Sequence, residues 1–192
     1  GEPIAEARAA YEAELPEIIA RDINHPATFA WVVFNESWGL LHGKRDDKVY
    51  LPETQEWVRS IYHKAKALDP HRIVEDNSPC RHVETDLNTW HFYLNGYEIV
   101  RDHIRKVVEE TYPGSSFNFI GENRQTDAPL MNSECGMVWG VDGSAGDSDL
   151  AWQYHYMLNE YRLHEKLCGF VFTEFHDVVN EFNGYYRIDN TD

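Results

Sequence analysis

The chain has 192 residues, of which 42% are hydrophobic and 14% aromatic; this composition excludes a disordered protein and suits a globular domain. The formal net charge of −16 argues against nucleic acid and against an anionic membrane surface as partners, because both bind cationic surfaces. No apolar run is long enough to cross a bilayer, and no targeting segment identifies a compartment, so localisation stays open.

Helical and extended patterns alternate along the chain. In chain order, we predict a helix over residues 4–20, a strand over 28–35, a helix over 53–68, strands over 72–76 and 86–91, a helix over 97–111, a strand over 128–133, a helix over 148–166 and a strand over 169–175. Pro16 is expected to interrupt the first helix. Strand–helix alternation predicts an α/β fold with a parallel sheet and helices outside it.

Cysteine and histidine positions do not suggest a metal centre. Cys80, Cys135 and Cys168 lack metal-ligand spacing, and we interpret them as small buried hydrophobes. His155 and His164 are not at the spacing of ligands on one helix face. We therefore expect no metal ion and no cofactor.

Polar residues follow two of the predicted strands directly. The apolar run from Phe29 to Phe34 ends in Asn35 and Glu36, and a second run from Ala128 leads to Glu134. In parallel α/β folds, groups at the carboxyl ends of strands face the active-site mouth. Two carboxyl groups facing each other there suit glycoside hydrolysis, although a strand that simply ends in a polar turn would give the same pattern.

The motifs around these strand ends resemble glycoside hydrolase family 2, which contains β-galactosidases, β-glucuronidases and β-mannosidases. The acid/base signature of that family resembles Asp22-Ile23-Asn24-His25-Pro26, then Trp31, then Asn35-Glu36. Its nucleophile motif is similar to Ser133-Glu134-Cys135-Gly136, and two further strands resemble residues 86–93 and residues 169–175 with Asp177 and Asn183-Gly184. The resemblance runs from about residue 5 to residue 188.

This resemblance implies the fold of a (β/α)8 TIM barrel, of which this chain carries only about strands 4–8. A complete barrel needs about 250 residues. Residues 1–192 are therefore expected to be the C-terminal part of a TIM-barrel catalytic domain, without its N-terminal barrel strands and without the β-sandwich domains that usually precede the barrel. Half a barrel exposes two sheet edges, so we expect a piece of a longer protein, with pairing of two identical chains as a less favoured arrangement.

The resemblance also implies catalytic roles. Glu36 would be the general acid/base and Glu134 the nucleophile, with their carboxyl groups about 5–5.5 Å apart, as retention of configuration requires. Asn35 would donate to the sugar 2-hydroxyl, unless it is a structural amide that holds the strand end.

Other residues are candidates for substrate binding. His91 and Tyr93 have the same strand parity and would orient the nucleophile or touch substrate. Trp139 and Glu174 follow strand ends and would bind substrate, with core packing or a loop hydrogen bond as equally favoured roles.

The function that follows is a retaining exo-β-glycosidase acting on a carbohydrate substrate. Family glucuronidases hold the sugar carboxylate with an Asn-x-Lys motif, whereas residues 180–184 contain no lysine, and Glu181 would repel a uronate. A neutral sugar is therefore expected, with a β-galactoside first and a β-mannoside second. The alternatives are a non-catalytic carbohydrate-binding or scaffolding barrel fragment and an enzyme of a related retaining barrel family.

Overall fold

The computed structural model describes residues 4–44, 47–136, 149–178 and 181–189. In chain order its elements are α1 (Ala5–Asp22), β1 (Ala30–Val32), α2 (Pro52–Leu68), β2 (Ile73–Glu75), β3 (Asn88–Tyr93), α3 (Tyr97–Glu110), β4 (Leu130–Gly136), α4 (Leu150–Arg162) and β5 (Leu167–Phe172). Every predicted helix and strand has a counterpart in the predicted order. The α/β class is confirmed.

The strands form two parallel sheets within the described residues. β1 pairs with β2, while β3, β4 and β5 pair in that order. A backbone hydrogen bond of 2.9 Å from Asp86 N–H to the Val74 carbonyl links the segment before β3 to β2. Since all pairs are parallel, the carboxyl ends of the strands lie at the same end of each sheet.

α1 contradicts one expectation, because the helix runs through Pro16 to Asp22 without a break. Proline removes one backbone donor from a helix interior. On either side of it, Leu15 and Ile19 are buried in a cluster that also contains Ile61 of α2 and Val74 of β2. Burial of these side chains offsets the missing hydrogen bond, so tertiary packing decides the course of the helix.

A second cluster packs α3 and α4 against the larger sheet. Trp90 and Phe92 of β3 meet Ile104 of α3 and Tyr161 of α4 there. The apolar stripe of α3 that the sequence predicts forms the contact, since Val100, Ile104 and Val107 are all buried. The two clusters therefore hold the helices on the outside of the strands.

β1 and β5 each pair with one neighbour only among the described residues. Val32 in β1 and Val171 in β5 are both exposed. Apolar side chains at open edges are typical of a sheet that continues in another segment. No described helix is both long enough and apolar enough to cross a membrane.

Replacing Ile104 by alanine should lower the free energy of unfolding by about 2–5 kcal/mol, because it leaves a cavity in a fully buried position of α3. The matched control is Ile99→Ala on the same helix, where the side chain is 58% exposed and the expected change is below about 0.5 kcal/mol. Urea denaturation measures the free energy of unfolding of both variants. Equal effects would contradict the packing described here.

Candidate active site

Glu36 lies beyond the end of β1, in backbone that is turned into the left-handed region. Its φ is 49° and that of Ser37 is 59°, which is uncommon for residues other than glycine. The segment after β2 holds this turn: Glu36 N–H donates to the Ser78 carbonyl, and Ser37 N–H donates to Asn77 Oδ1 at 3.0 Å. Asn77 Nδ2 also donates to Ser37 Oγ at 2.9 Å. These contacts fix the backbone that carries Glu36.

The Glu36 side chain is partly exposed and has two donors at its carboxyl group. Trp38 Nε1–H donates to Oε2 at 3.0 Å, and His91 Nδ1 lies 3.2 Å from Oε1. Trp38 itself is largely exposed. Glu36 therefore faces open space on one side and the histidine on the other.

Glu134 lies within β4 and is held from the neighbouring strand β3. The Tyr93 hydroxyl donates to Glu134 Oε2 at 2.5 Å, and His91 Nδ1 lies 3.4 Å from the same oxygen. The ladder shifts its register between Trp90 and His91, which pairs His91 with Glu134. An irregularity of this kind re-aims side chains. Burial, followed by the hydrogen bond to Glu134, raises the pKa of Tyr93 well above its ordinary value, so its hydroxyl stays a donor.

The two carboxyl groups face each other across the His91 ring. One oxygen of Glu36, one of Glu134 and one ring nitrogen of His91 all lie within 4.8 Å of one another. A histidine and two carboxylates are also donor types that a divalent cation accepts. The Tyr93 hydroxyl already donates to Glu134, and His91 Nδ1 lies 3.2 Å from Glu36 Oε1 and 3.4 Å from Glu134 Oε2. The expectation of no metal stays a prediction.

The remaining predicted residues lie around this pair. Asn35 is exposed and its backbone bridges to Ser78. Glu174 follows β5, and its Oε1 is buried without a hydrogen-bond partner among the described residues. Burial raises the pKa of Glu174 above its ordinary value, and nearby negative charges add to the effect; they belong to Glu181, Asp177 and Glu134. Trp139 lies outside the described residues.

A buried polar group beneath the carboxylates is absent from our sequence-based predictions. It follows β2 and consists of Glu75, Asp76, Asn77, Ser78 and His82, all at most 2% exposed. The sequence carries the same pattern here as at the other two strands, because the apolar run Ile73-Val74 is followed by the acidic residues Glu75 and Asp76. Each of these side chains has a hydrogen-bond partner, as buried polar groups require.

Two glycines let segments approach closely beside Glu134. A Cβ on Gly136 would lie 2.9 Å from the Thr173 carbonyl oxygen and 3.0 Å from a ring carbon of Tyr93. A Cβ on Gly184 would lie 2.2 Å from the backbone nitrogen of Asp177. The missing side chain of Gly136 lets the end of β4 pack against Thr173, and that of Gly184 lets the chain after β5 fold back on itself at Asp177.

The chain matches the family model described as "Glycosyl hydrolases family 2, TIM barrel domain" over residues 4–187. It belongs to glycosyl hydrolase family 2. The resemblance found in the sequence is thus confirmed, and with it the assignment to a family of glycoside hydrolases.

Solved structures of family 2 enzymes share the fold. A β-glucuronidase from Faecalibacterium prausnitzii is 18% identical with a TM-score of 0.63, over 95% of this chain and 32% of that one. A Ruminococcus gnavus β-glucuronidase is 18% identical with a TM-score of 0.60, over 95% and 34%. A β-galacturonidase from Eisenbergiella tayi is 15% identical with a TM-score of 0.62, over 92% and 33%. The chain thus spans about a third of their length. No curated protein matches it.

Replacing Gly136 by alanine should lower the free energy of unfolding by about 1–3 kcal/mol, because the new methyl group would overlap backbone and the Tyr93 ring. The control is Gly169→Ala in β5, where a Cβ would meet nothing closer than 3.8 Å. Thermal unfolding measures the stability of both variants. An equally small shift for both variants would contradict the close packing at Gly136.

Proposed function

We propose that this chain carries the catalytic pair of a retaining exo-β-glycosidase. The observation that supports this most directly is the closeness of Glu36 and Glu134, whose nearest oxygens are within 4.8 Å. Retaining enzymes hold their two carboxyl groups about 5–5.5 Å apart, whereas inverting enzymes leave about 6.5–9.5 Å for a water molecule. The short separation favours direct attack by one carboxylate on the sugar.

The surroundings of the two groups suggest which carboxyl group does what. Glu134 accepts a hydrogen bond from the Tyr93 hydroxyl and faces His91, and these contacts hold its carboxyl group in place for attack on the sugar. Glu36 is the more exposed of the two, at 39% against 25%, so it can exchange protons with solvent and reach a leaving group. We assign Glu134 as nucleophile and Glu36 as acid/base.

The reaction then takes place in two displacements. Glu36 gives its proton to the glycosidic oxygen as that oxygen leaves the anomeric carbon, and a Glu134 oxygen forms an ester bond to the same carbon. Glu36, now ionised, takes a proton from water. The resulting hydroxide equivalent attacks the anomeric carbon, the ester bond breaks, and Glu134 returns to its carboxylate form. Tyr93 and His91 hold the Glu134 carboxylate through both steps.

We place the chain as strands 4–8 of the barrel, the C-terminal part of a catalytic domain in a longer protein. Five parallel strands out of eight, and the open edges of β1 and β5, support this placement. So does the coverage of the solved structures, of which the chain spans 32–34%. The missing strands would close the barrel against both edges.

The proposed substrate is a neutral β-glycoside, with galactose ahead of mannose. The negative charges that raise the pKa of Glu174 lie around the segment after β5, and they would repel a sugar carboxylate. The solved relatives named above act on uronides, but their likeness at 15–18% identity concerns the fold. Asn35, His91, Tyr93, Trp139 and Glu174 are proposed to contact the sugar.

Covalent trapping tests this function in the full-length protein. Incubation with 2-deoxy-2-fluoro-β-galactosyl or -mannosyl fluoride should add one fluorosugar to Glu134. Fluorine at C2 slows both displacements, but the good fluoride leaving group keeps the first one fast enough for the glycosyl-enzyme to accumulate. Intact mass and peptide mapping locate the adduct, and Glu134→Gln is the unlabelled control. An adduct only with the glucuronyl analogue would contradict the neutral sugar. No adduct with any sugar, together with no hydrolysis, would favour a binding or scaffolding fragment.

Removing the acid, in Glu36→Ala, should affect substrates according to their leaving groups. Hydrolysis of an alkyl glycoside should fall by roughly 10²- to 10⁴-fold, the usual contribution of general acid catalysis. Formation of the glycosyl-enzyme from a dinitrophenyl glycoside should change little, since that leaving group departs without a proton. Pre-steady-state release of dinitrophenol measures the difference. The same loss with both leaving groups would exclude Glu36 as the acid.

A further inference from the structure

Glu75 is a carboxyl group in the interior, at the carboxyl end of β2, and only 1% exposed. The Thr89 hydroxyl of β3 donates to its Oε1, and the Ser78 hydroxyl also forms a hydrogen bond with the carboxyl group. The mechanism proposed above does not use it. Its partners are hydroxyl groups, which can both donate and accept a hydrogen bond.

From Glu75, a chain of hydrogen bonds leads to the catalytic pair. Thr89 Oγ1 lies 3.3 Å from Ser78 Oγ, and Ser78 Oγ lies 3.0 Å from His91 Nε2. The other ring nitrogen of His91 is the one placed between Glu36 and Glu134, at 3.2 and 3.4 Å. Two hydroxyls and one imidazole ring thus connect the buried carboxyl to both catalytic carboxylates.

The surroundings of Glu75 allow it to change its charge near neutral pH. Burial raises its pKa to about 7, and the charge of Asp76 adds to this, whereas His82 and the two hydroxyl donors act in the opposite direction. Asp76 and His82 form a buried pair of their own, with Oδ1 to Nδ1 at 2.6 Å, and Asp76 Oδ2 also accepts the Val83 N–H at 2.6 Å.

With Glu75 protonated, the chain has one consistent direction. The carboxyl O–H donates to Thr89, the Thr89 hydroxyl donates to Ser78, and the Ser78 hydroxyl donates to His91 Nε2. Ser78 Oγ accepts a further hydrogen bond from Ser133, whose Oγ lies 2.7 Å away. A neutral His91 then carries its proton on Nδ1, which donates to the catalytic carboxylates.

With Glu75 ionised, that direction is lost. The Thr89 and Ser78 hydroxyls both donate to the carboxylate, so Ser78 can only accept from His91 Nε2. A neutral ring would then present the bare Nδ1 lone pair to two carboxylates, which is repulsive. The ring must instead take up a second proton or lose its contact with the pair.

We propose that Glu75 is a positioning residue for the catalytic pair, which acts through Thr89 and Ser78 to set whether His91 offers a proton on Nδ1 to Glu36 and Glu134. This inference rests on the function proposed above. The titratable groups that act on Glu75 from the segment after β2 are Asp76 and His82. The titratable groups of the facing strand ends, Glu36, His91 and Glu134, lie at the far end of the hydrogen-bond chain.

The first test is the pH dependence of kcat/KM in Glu75→Gln, measured on the full-length protein with a dinitrophenyl glycoside. This substrate needs no proton for its leaving group, so the protonation state of Glu36 does not affect the rate of the first displacement. The amide donates to Thr89 as the protonated acid does, but it cannot ionise. Between pH 6 and 8, kcat/KM of the wild type should fall roughly tenfold more than kcat/KM of the variant. This is the fall expected when the protonated form of Glu75, whose pKa is raised to about 7, supports the reaction.

Matched variants separate positioning from mere structural support. Glu160→Gln removes another buried carboxylate, which lies on α4 and contacts Arg105 and His164, and should leave the shape of the pH profile unchanged. Ser78→Ala removes the hydroxyl through which Glu75 reaches His91, both directly and by way of Thr89, and should remove the same alkaline fall of the profile as Glu75→Gln. A profile for Glu75→Gln identical to that of the wild type would overturn the proposal.

Stability gives a second readout that does not depend on activity. An acid whose pKa is raised in the folded state keeps its proton where the unfolded chain has lost it, so the wild type should lose stability as pH rises from about 4.5 to 7. Glu75→Gln should lack this loss, and unchanged pH dependence would count against the proposal. A failure of fluorosugar trapping in the wild type would instead overturn the proposed function, so the two failures are distinguishable.

Discussion

Two carboxylates held within 4.8 Å of each other repel, and the rest of the site is arranged around that repulsion. The donors that offset it come from β3, through His91 and Tyr93, while the carboxylates come from the end of β1 and from β4. Parallel strands bring these ends to one side. The helices α3 and α4 keep β3 and β4 in register from outside, so the burial of Ile104 contributes to the geometry of Glu134.

Much of this arrangement is readable from local sequence. Apolar runs that lead into a carboxylate bring Glu36 and Glu134 to attention, although Glu36 lies four residues beyond β1 and Glu134 lies within β4. The period of two places His91 and Tyr93 on the same face. Helix faces follow from spacing in the same way, as in α3. These features depend only on neighbours in the chain, and the sequence therefore predicts them.

Other features depend on contacts between distant segments and could not be predicted. The register shift at Trp90 and the positive φ of Glu36 arise from pairing with β4 and with the segment after β2. Helix α1 continues through Pro16 because of what Leu15 and Ile19 meet across the core. Sugar preference is of the same kind, since fold likeness at low identity says little about the few side chains that contact a hydroxyl or a carboxylate.

The backbone of Glu36 is held less by its own strand than by residues about forty positions later. Asn77 and Ser78 supply the hydrogen bonds that keep the left-handed turn, and they belong to the same short segment that contains Asp76. Changes in chain length around residue 77 should therefore be tolerated poorly. Insertions or deletions around residue 77 would displace Glu36 while every residue near Glu36 in sequence stays intact. Residues 35–37 and 76–78 therefore behave as one structural unit, although about forty residues separate them in the chain.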